Sequence, residues 1–331
     1  MSSARCLDSL LRSVVPRRTT RERSINIVFE RIDGYIGDLL SSDPSSSPYS
    51  SINFLGKPLI IYNIEKIYEA CGKIACLSLP AGMSSTADKI ARFFPEIQID
   101  EYDHSPRVSD PAALIIPLSS VVVKSVDGKY SIEEILYPWE ILKATEHILQ
   151  AEVRSTSISK DSSIELGSVV DGPCIIESGV SVDSFCKLKG PVYIGADSKI
   201  GTGSLVRNSM LDHGCTIGFS CEVARSYVAA NDTFPHYDAI LDSVIGEHTW
   251  MGGYVAITNV MLNNKNVRYK VNGNLVETGL SHFGAVIGHN SKIGAGVVIL
   301  PGRYMPPGSF IPPHVLFSSM DEQMPAGPRV G

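Results

Sequence analysis

Residues 158–206 read ISKDSSIELGSVVDGPCIIESGVSVDSFCKLKGPVYIGADSKIGTGSLV, with an aliphatic residue at every sixth position. The aliphatic positions are Ile158, Ile164, Val170, Ile176, Val182, Leu188, Ile194, Ile200 and Val206. Neither a helix, with a period of 3.6, nor an amphipathic strand, with a period of 2, produces this spacing. A six-residue period predicts a short strand and a turn, repeated, with one aliphatic side chain per strand in a shared core. Three such strands close a rung of about 18 residues, and stacked rungs form a β-solenoid.

The same register returns further along the chain, and glycine often follows the aliphatic residue. It returns at Leu211, Ile217, Val223, Ile245, Met251, Ile257, Ile287, Ile293, Ile299, Met305 and Ile311. Glycine after the aliphatic residue lets the backbone turn a corner without a Cβ clash. The segment 263–283 interrupts the register, and Val271-Asn272-Gly273-Asn274-Leu275 within it predicts a hairpin turn. We expect a loop that leaves the solenoid there.

Composition limits the possible partners and compartments. The 331 residues carry a net charge of −6, and 19% of them are charged, so no basic surface favours nucleic acid. No apolar run approaches the roughly 20 residues that a membrane-spanning helix needs. The seven cysteines are an odd number without a Cys-x-x-Cys pair, which indicates reduced thiols in a cytoplasmic protein. The segment 1–24 is rich in arginine; an organelle-targeting peptide, a disordered leader and a misassigned start all remain open.

Alternating strands and helices over residues 25–150 predict a small α/β domain before the solenoid. The expected strands are 25–29, 73–79, 97–100, 114–117 and 121–123. The expected helices begin at Pro58, at Ser85 with Asp88 as its capping-box partner, and at Pro138. The predicted organisation is a leader at 1–24, an α/β domain at 25–150, a β-helix at 151–316 with an insertion at 263–283, and a tail at 317–331.

Residues 158–314 resemble the left-handed β-helix of hexapeptide-repeat acyltransferases. The stretch 234–246, FPHYDAILDSVIG, is similar to the P-H-x-x-Y-x-G-D-S-x-I-G segment of one branch of that superfamily. This branch is the bifunctional glucosamine-1-phosphate acetyltransferase/N-acetylglucosamine-1-phosphate uridylyltransferase family, in its archaeal and Bacteroidetes forms. The resemblance implies a fold of class α/β plus all-β, in which a left-handed parallel β-helix follows a nucleotidyltransferase-like domain.

The N-terminal half of the likeness is weaker. Residues 56–60, GKPLI, and 138–142, PWEIL, are similar to the family's K-P-L-I and P-W-D-L-L segments. The family's glycine-rich phosphate loop is missing from residues 29–38, and no acid follows Leu114–Pro117 to hold magnesium. We therefore expect a degenerate, shortened domain in which uridylyl transfer is lost.

The resemblance assigns roles to individual residues of the β-helix. His236 matches the family's catalytic histidine, and neutral histidine suits the removal of an amine proton near pH 7. Asn259 matches an asparagine beside the reacting amine, and Arg207 matches the arginine that holds the sugar phosphate. Each has a plainer interpretation: a surface histidine at a corner, a turn-stabilising asparagine, a solvated arginine. Gly253 and Ala285 are the expected contacts of acetyl-CoA.

Two departures put the family substrate in doubt. A phosphate-binding lysine is replaced by Ala224. Arg225 follows one position later and is the remaining candidate for the phosphate, but on a strand it points to the opposite face unless a bulge intervenes. The substrate tyrosine is replaced by Ala239. The leading hypothesis is an acetyl-CoA-dependent N-acetyltransferase of an amino-sugar phosphate, homotrimeric by resemblance and without a metal. The alternatives are a catalytically silent sugar-nucleotide-binding or scaffold protein and, third, a surviving nucleotidyltransferase.

Overall fold

A computed structural model describes residues 5–6, 25–30, 52–102, 113–125, 127–271 and 273–318. Apart from a two-residue strand at Arg5–Cys6, the arginine-rich leader lies outside the described residues, as does the tail after residue 318. The chain divides into two compact units. The first comprises residues 1–37, 43–52 and 57–140, and the second comprises residues 38–42, 53–56 and 141–331.

The first unit contains a four-stranded parallel sheet and a three-stranded antiparallel sheet. The strands are β1 (Arg5–Cys6), β2 (Ile25–Glu30), β4 (Lys57–Pro58), β5 (Ile74–Pro80), β6 (Gln98–Tyr102), β7 (Leu114–Pro117), β8 (Ser120–Lys124) and β9 (Tyr130–Glu134); β3 (Asn53–Phe54) belongs to the second unit. The parallel sheet has the order β6-β5-β2-β7 and the antiparallel sheet the order β1-β9-β8. The predicted strands and the α/β character of this region are confirmed.

The first unit contains two of the helices whose first residues were predicted from the sequence. The helix α1 (Leu59–Cys71) begins one residue after the predicted Pro58, which stands at its N-cap, and it ends at Gly72 in the left-handed conformation. The helix α2 (Ser84–Phe93) begins one residue early, and Met83 stands at its N-cap without a side-chain hydrogen bond. The capping box predicted at Ser85 is therefore wrong.

The third helix, α3 (Glu140–Glu152), begins two residues after the predicted Pro138. The carboxylate of Glu140 accepts hydrogen bonds from the backbone N–H groups of Leu136 (2.7 Å) and Tyr137 (3.0 Å). This acceptor satisfies free N–H groups ahead of the first turn and places the helix start at Glu140 rather than at the proline.

The second unit is a left-handed parallel β-helix, as the six-residue period predicts. Its rungs form three eight-stranded parallel sheets, sheets 1, 2 and 3 in chain order. Sheet 1 contains β10 (Ser157–Ile158), β13 (Cys174–Ile176), β16 (Val192–Ile194), β19 (Met210–Leu211), β22 (Tyr227–Val228), β25 (Val244–Ile245), β30 (Ala285–Ile287) and β33 (Arg303–Met305). Sheet 2 contains β11 (Ser163–Ile164), β14 (Ser181–Val182), β17 (Lys199–Ile200), β20 (Thr216–Phe219), β23 (Thr233–His236), β26 (Trp250–Met251), β31 (Lys292–Ile293) and β34 (Phe310–Ile311). Sheet 3 contains β12 (Val169–Asp171), β15 (Lys187–Lys189), β18 (Leu205–Arg207), β21 (Glu222–Ala224), β24 (Ala239–Leu241), β27 (Ala256–Ile257), β32 (Val298–Ile299) and β35 (Leu316–Phe317).

Three rungs are shorter than the expected repeat of three hexads. Tyr193 pairs with Met210, Met210 with Tyr227, and Tyr227 with Val244, so each of these rungs lacks one residue of that repeat. The residue is lost at the turn after sheet 3. The six-residue register also did not predict the rung of Val228, Phe234 and Ile240, whose side chains lie in the same buried column as the predicted positions.

The glycines after the aliphatic positions serve close approach between rungs. A Cβ added at Gly218 would overlap the carbonyl oxygen of Pro235 in the next rung. The left-handed turn positions, in contrast, are filled mostly by other residues, among them Asp197 and Asn231. The corner glycines therefore matter because the backbones are close, and the turn itself does not require glycine at each level.

The predicted insertion is confirmed as a hairpin of β28 (Arg268–Val271) and β29 (Asn274–Glu277). A second segment, Asn53–Gly56, lies on the outer face of sheet 1 and was not predicted. Asn53 donates its backbone N–H to the hydroxyl of Tyr227 (3.0 Å) and its side-chain amide to Asp212 (2.6 Å). These contacts help to bury Tyr227, which is fully inaccessible although it points away from the core column.

Candidate functional site

His236 is the last residue of β23, at the turn that leads from sheet 2 to sheet 3, and its side chain is exposed. We call the stacked turns between these sheets the aromatic corner, defined by Phe219, His236, Tyr237, Gly253 and Tyr254. The carbonyl of His236 accepts the backbone N–H of Tyr254 (2.8 Å). A Cβ placed on Gly253 would lie 3.4 Å from the Cβ of His236. The imidazole thus stands beside a residue that has no side chain.

Small residues continue along the aromatic corner above His236. The Gly253 carbonyl accepts the N–H of Gly296 (2.9 Å) from the next rung. Ala295, which precedes Gly296 and is exposed, therefore occupies the position of Gly253 in that rung. In the described part of the chain the N–H of Gly253 has no hydrogen-bond acceptor. Gly253 therefore offers a free donor and an open surface one rung from His236.

Ala285 does not share this position. Its side chain is fully buried in the core column, and its N–H donates to the hydroxyl of Ser243 (3.1 Å). In this structure Ala285 is a packing residue with no surface for a cofactor. The better candidate in the sequence is Gly294-Ala295-Gly296, whose exposed Ala295 follows Gly253 at the same corner.

Exposed aromatic rings surround His236. Phe219 and Tyr237 meet edge to face, with ring centroids 5.2 Å apart, and Tyr237 and Tyr254 are stacked at 4.8 Å. Tyr254 is 64% exposed, although its ring is part of this stack. The stack was not predicted from the sequence, because the three rings belong to successive rungs and are far apart along the chain.

A buried carboxylate lies directly inside the aromatic corner. Asp238 is 1% exposed and accepts the N–H of Val255 (2.8 Å) through one oxygen. Burial raises the pKa of Asp238 to about 6, although bonds from the Val255 and His236 backbones act in the opposite direction. Asp238 thus supports the backbone on which His236 stands.

The opposite end of the sheet 3 strands carries charged groups that pair with one another. We call these turns, from sheet 3 to sheet 1, the ionic corner, defined by Arg207, Arg225, Asp242 and Asn259; Glu222, the partner of Arg207, is the first residue of β21, at the other end of sheet 3. Arg225 donates from Nε and Nη2 to the two oxygens of Asp242, both at 2.6 Å. Asn259 donates its side-chain amide to the same carboxylate. Arg207 pairs with Glu222 at 2.8–2.9 Å.

Position 224 offers no replacement for the missing lysine. Ala224 is fully buried, and the Arg225 fork is engaged by Asp242, while Ala239 is partly exposed on the neighbouring strand. A cleft of about 320 Å³ opens at this corner between α3 and the turns, lined among others by Lys143, Arg225 and His282. Asp242, which holds Arg225 and Asn259, lines it as well. The cleft thus opens at the end of the sheet 3 strands opposite to His236, which does not line it.

The structure brings together some of the predicted site residues and separates others. Gly253 adjoins His236, and Arg225 joins Asn259 through Asp242. His236 lies before the sheet 3 strands, whereas Arg207 and Asn259 lie at or after their ends, so the histidine and these two residues belong to different corners of the solenoid.

Neither a metal cluster nor a membrane helix is present in the described part of the chain. No group of three or more His, Cys, Asp or Glu side chains is arranged to hold a metal ion. No described helix combines the length and apolar character needed to cross a bilayer. The cysteines from Cys71 to Cys221 are all free thiols.

Comparison with known proteins adds the following similarities. Residues 173–208 match the bacterial transferase hexapeptide family (six repeats). The chain is 31% identical over 185 residues to the bifunctional protein GlmU of Methanococcus aeolicus, covering 55% of this chain and 43% of that protein. It is 30% identical over 241 residues to the bifunctional sugar-1-phosphate nucleotidylyltransferase/acetyltransferase of Sulfurisphaera tokodaii, covering 72% and 59%. It is 27% identical over 157 residues to the uncharacterized acetyltransferase YaiX of Escherichia coli O6:K15:H31, covering 42% and 67%. The chain thus spans about half the length of the bifunctional relatives.

Proposed function

Because the chain belongs to the hexapeptide-repeat family of GlmU-type bifunctional sugar-1-phosphate nucleotidyltransferase/acetyltransferases, we propose that it is an acetyl-CoA-dependent N-acetyltransferase of an amino-sugar phosphate. The acceptor is glucosamine-1-phosphate or a relative, and the reaction belongs to the formation of UDP-N-acetylglucosamine or a similar sugar nucleotide. The observation that carries the proposal is the exposed His236 beside Gly253, a residue without a side chain and with a free N–H.

The chemistry follows from these two groups. The His236 imidazole takes a proton from the acceptor amine as its nitrogen attacks the thioester carbonyl. The Gly253 N–H donates to the oxygen on which negative charge develops. The C–N bond forms, the C–S bond breaks, and the imidazolium returns its proton to the departing thiolate. The pantetheine arm of CoA lies along the small residues Gly253 and Ala295.

A second copy of the chain would complete the site. Since His236 and Asn259 lie at opposite ends of the sheet 3 strands, a neighbouring protomer has to bring its ionic corner to the aromatic corner of the first. The proposal therefore includes a homotrimer with shared sites, in the cytoplasm, where reduced cysteines are stable. Sedimentation equilibrium that gives the mass of a monomer would overturn the trimer.

The test is acetyl transfer from acetyl-CoA to glucosamine-1-phosphate, followed as released thiol. His236→Ala should lower kcat by about 10²- to 10⁴-fold, the usual contribution of a positioned general base. The matched control is His248→Asn, which changes an exposed histidine at a left-handed turn elsewhere in the solenoid and should keep full activity. Equal turnover by wild type and His236→Ala would contradict the proposed mechanism.

One observation favours a second candidate, a catalytically silent sugar-nucleotide-binding or scaffold protein. Arg207 and Arg225, expected to hold phosphate, are both paired with carboxylates of the same protomer, and Ala224 is buried. If the wild-type protein releases no thiol and acetyl-CoA does not raise its melting temperature, the silent protein becomes the better interpretation.

Nucleotidyl transfer remains the third hypothesis. The turn after β7 contains Leu118 and Ser119 and no acid, so the predicted loss of the magnesium site stands on the sequence. The segment 31–51, which includes most of the region compared with the phosphate loop, lies outside the described residues.

A further inference from the structure

The aromatic corner holds an exposed aromatic surface that the proposed chemistry does not use. Phe219, Tyr237 and Tyr254 are 43%, 45% and 64% exposed, and they occupy three successive rungs at and beside His236. Trp250, 46% exposed, precedes Gly253 in the same rung. Large aromatic side chains cost free energy when they face water, so the three exposed rings at the corner of His236 indicate a ligand.

The geometry of the rings gives the surface a flat end. Tyr237 and Tyr254 are nearly parallel, with 15° between the ring planes, and Phe219 supports Tyr237 from below by its edge. The next residue in the column of left-handed turn positions is Gly296, and the imidazole of His314, one rung further on, lies 2.7 Å from the position that a Cβ of Gly296 would take. Tyr254 is thus the last ring of the stack, and 64% of its surface is exposed.

The ionic corner offers the acceptor little charge by comparison. Both guanidinium groups there already bind carboxylates, and the alanine at position 224 is buried. A sugar at His236 therefore meets aromatic carbon in one direction and charges that are already neutralised in the other. Stacking against a ring face needs no charge on the ligand, because it uses C–H groups and apolar area.

We propose that the stack of Phe219, Tyr237 and Tyr254 is the acceptor-specificity platform of this site. The pyranose ring of the amino sugar lies with its apolar C–H face on Tyr254, and its amine points to His236. The acceptor class is an amino sugar recognised by its ring face, with a phosphate contributing little to affinity. This inference rests on the proposed function for the position of the amine, whereas the binding of the ring can be measured without turnover.

The experiment is saturation-transfer NMR of glucosamine and of glucosamine-1-phosphate with the full chain. We expect the strongest saturation on the axial protons that share one ring face, and similar affinity for the two sugars. Tyr254→Asn should weaken binding by about threefold to tenfold, the usual contribution of an aromatic contact, and Tyr254→Phe should retain it. Asparagine is chosen because it tolerates the left-handed conformation of Tyr254 (φ 65°).

The matched control is Phe185→Asn. Phe185 is an exposed aromatic residue, also in the left-handed conformation (φ 63°), at an earlier turn between sheets 2 and 3, and its loss should leave binding unchanged. Uniform saturation, absence of binding, or equal affinity in Tyr254→Asn and wild type would overturn the platform. A Tyr254→Asn protein with an altered oligomeric mass would also overturn it, because the stack would then be a contact between copies.

The two proposals fail in different ways. Face-selective binding that depends on Tyr254, without any thiol release, would retain the platform and overturn the acetyltransferase. Thiol release with the same KM in wild type and Tyr254→Asn would retain the acetyltransferase and overturn the platform.

Discussion

The two ends of the sheet 3 strands differ in how their functional groups are satisfied. At the aromatic corner, His236 and the rings of Tyr237 and Tyr254 face solvent, and the free N–H of Gly253 lies beside them. At the ionic corner, charged groups are also partly exposed, but they bind each other: Arg207 with Glu222, and Arg225 with Asp242. The strands between the two corners are very short. The same solenoid thus leaves the groups of one corner exposed and pairs the charged groups of the other with carboxylates.

Whether a side chain is already paired with a neighbour indicates its role better than its residue type does. Arginine and asparagine look more like ligand-binding residues than phenylalanine or glycine. Their partners nevertheless decide what each can do, because a guanidinium that is already bound to a carboxylate must break that pair before it can hold a phosphate. Variants at the aromatic corner should therefore change activity, while variants at the ionic corner should change stability.

Asp238 should be the largest exception to this division, because it is a buried carboxylate at the aromatic corner whose substitution should change stability. Its pKa is about 6 in the folded chain and about 3.9 when unfolded, so the folded state binds the proton more tightly. Stability should fall as the pH rises from about 4 to 6 and change no further above that through this group. Such a pKa difference corresponds to about 3 kcal/mol. Asparagine cannot ionise, so Asp238→Asn should remove this loss of stability and should melt at a higher temperature than wild type at pH 8.

The measurement is the melting temperature of both proteins from pH 4 to pH 8. Asparagine keeps a carbonyl oxygen for the Val255 N–H, so the loss of charge is the main change. Asp232→Asn is the matched variant, because Asp232 is a fully buried carboxylate on another corner whose pKa burial also raises. Parallel pH profiles for wild type and Asp238→Asn would show that Asp238 does not ionise in this range.

Asp242 is the corresponding test at the ionic corner. Asp242→Asn replaces the shared acceptor of Arg225 and Asn259 with a neutral amide, and asparagine suits its left-handed backbone (φ 45°). Hydrogen bonds to charged groups contribute about 1.5–3 kcal/mol, and Arg225 is partly exposed, so we expect a loss of about 2 kcal/mol in urea unfolding. Asp197→Asn, an exposed aspartate in the same conformation, should change stability by less than about 0.5 kcal/mol. Equal stability of Asp242→Asn and wild type would remove the contrast between the corners.

Much of the solenoid could be predicted from the sequence, because one buried aliphatic residue per strand repeats at a fixed interval. The period identified the column from Ile164 to Ile311 and the hairpin that interrupts it, but it was wrong for Ile158, which is 43% exposed at the first rung because no rung precedes it to cover it. It failed at Val228, Phe234 and Ile240, where the loss of one residue per rung shifted the register. A short period is easily lost when the strands themselves are so short.

The site was predictable only where a single residue carries the signal. His236 and Gly253 lie on adjacent rungs, as the resemblance implied, but Ala285 points into the core. The pairing of Arg225 with Asp242 and the stack of Tyr237 on Tyr254 each join residues of two successive rungs. Which residues meet across two rungs depends on the length of each rung. The assumed repeat of three hexads is one residue too long at this level, so it places these partners out of register.

Arg207 provides the smallest and most discriminating test of the contrast. Its guanidinium meets a single oxygen of Glu222, and both side chains are partly exposed, so the pair should contribute only about 0.2–1 kcal/mol. Arg207→Ala should therefore leave the urea midpoint nearly unchanged, and KM for glucosamine-1-phosphate then reports whether the arginine also binds phosphate. Glu222→Gln sharpens the comparison, because it releases the guanidinium without removing it. An unchanged KM in both variants would assign Arg207 to the structure of the corner, whereas a higher KM in Arg207→Ala and a lower one in Glu222→Gln would mean that the pair opens for the acceptor.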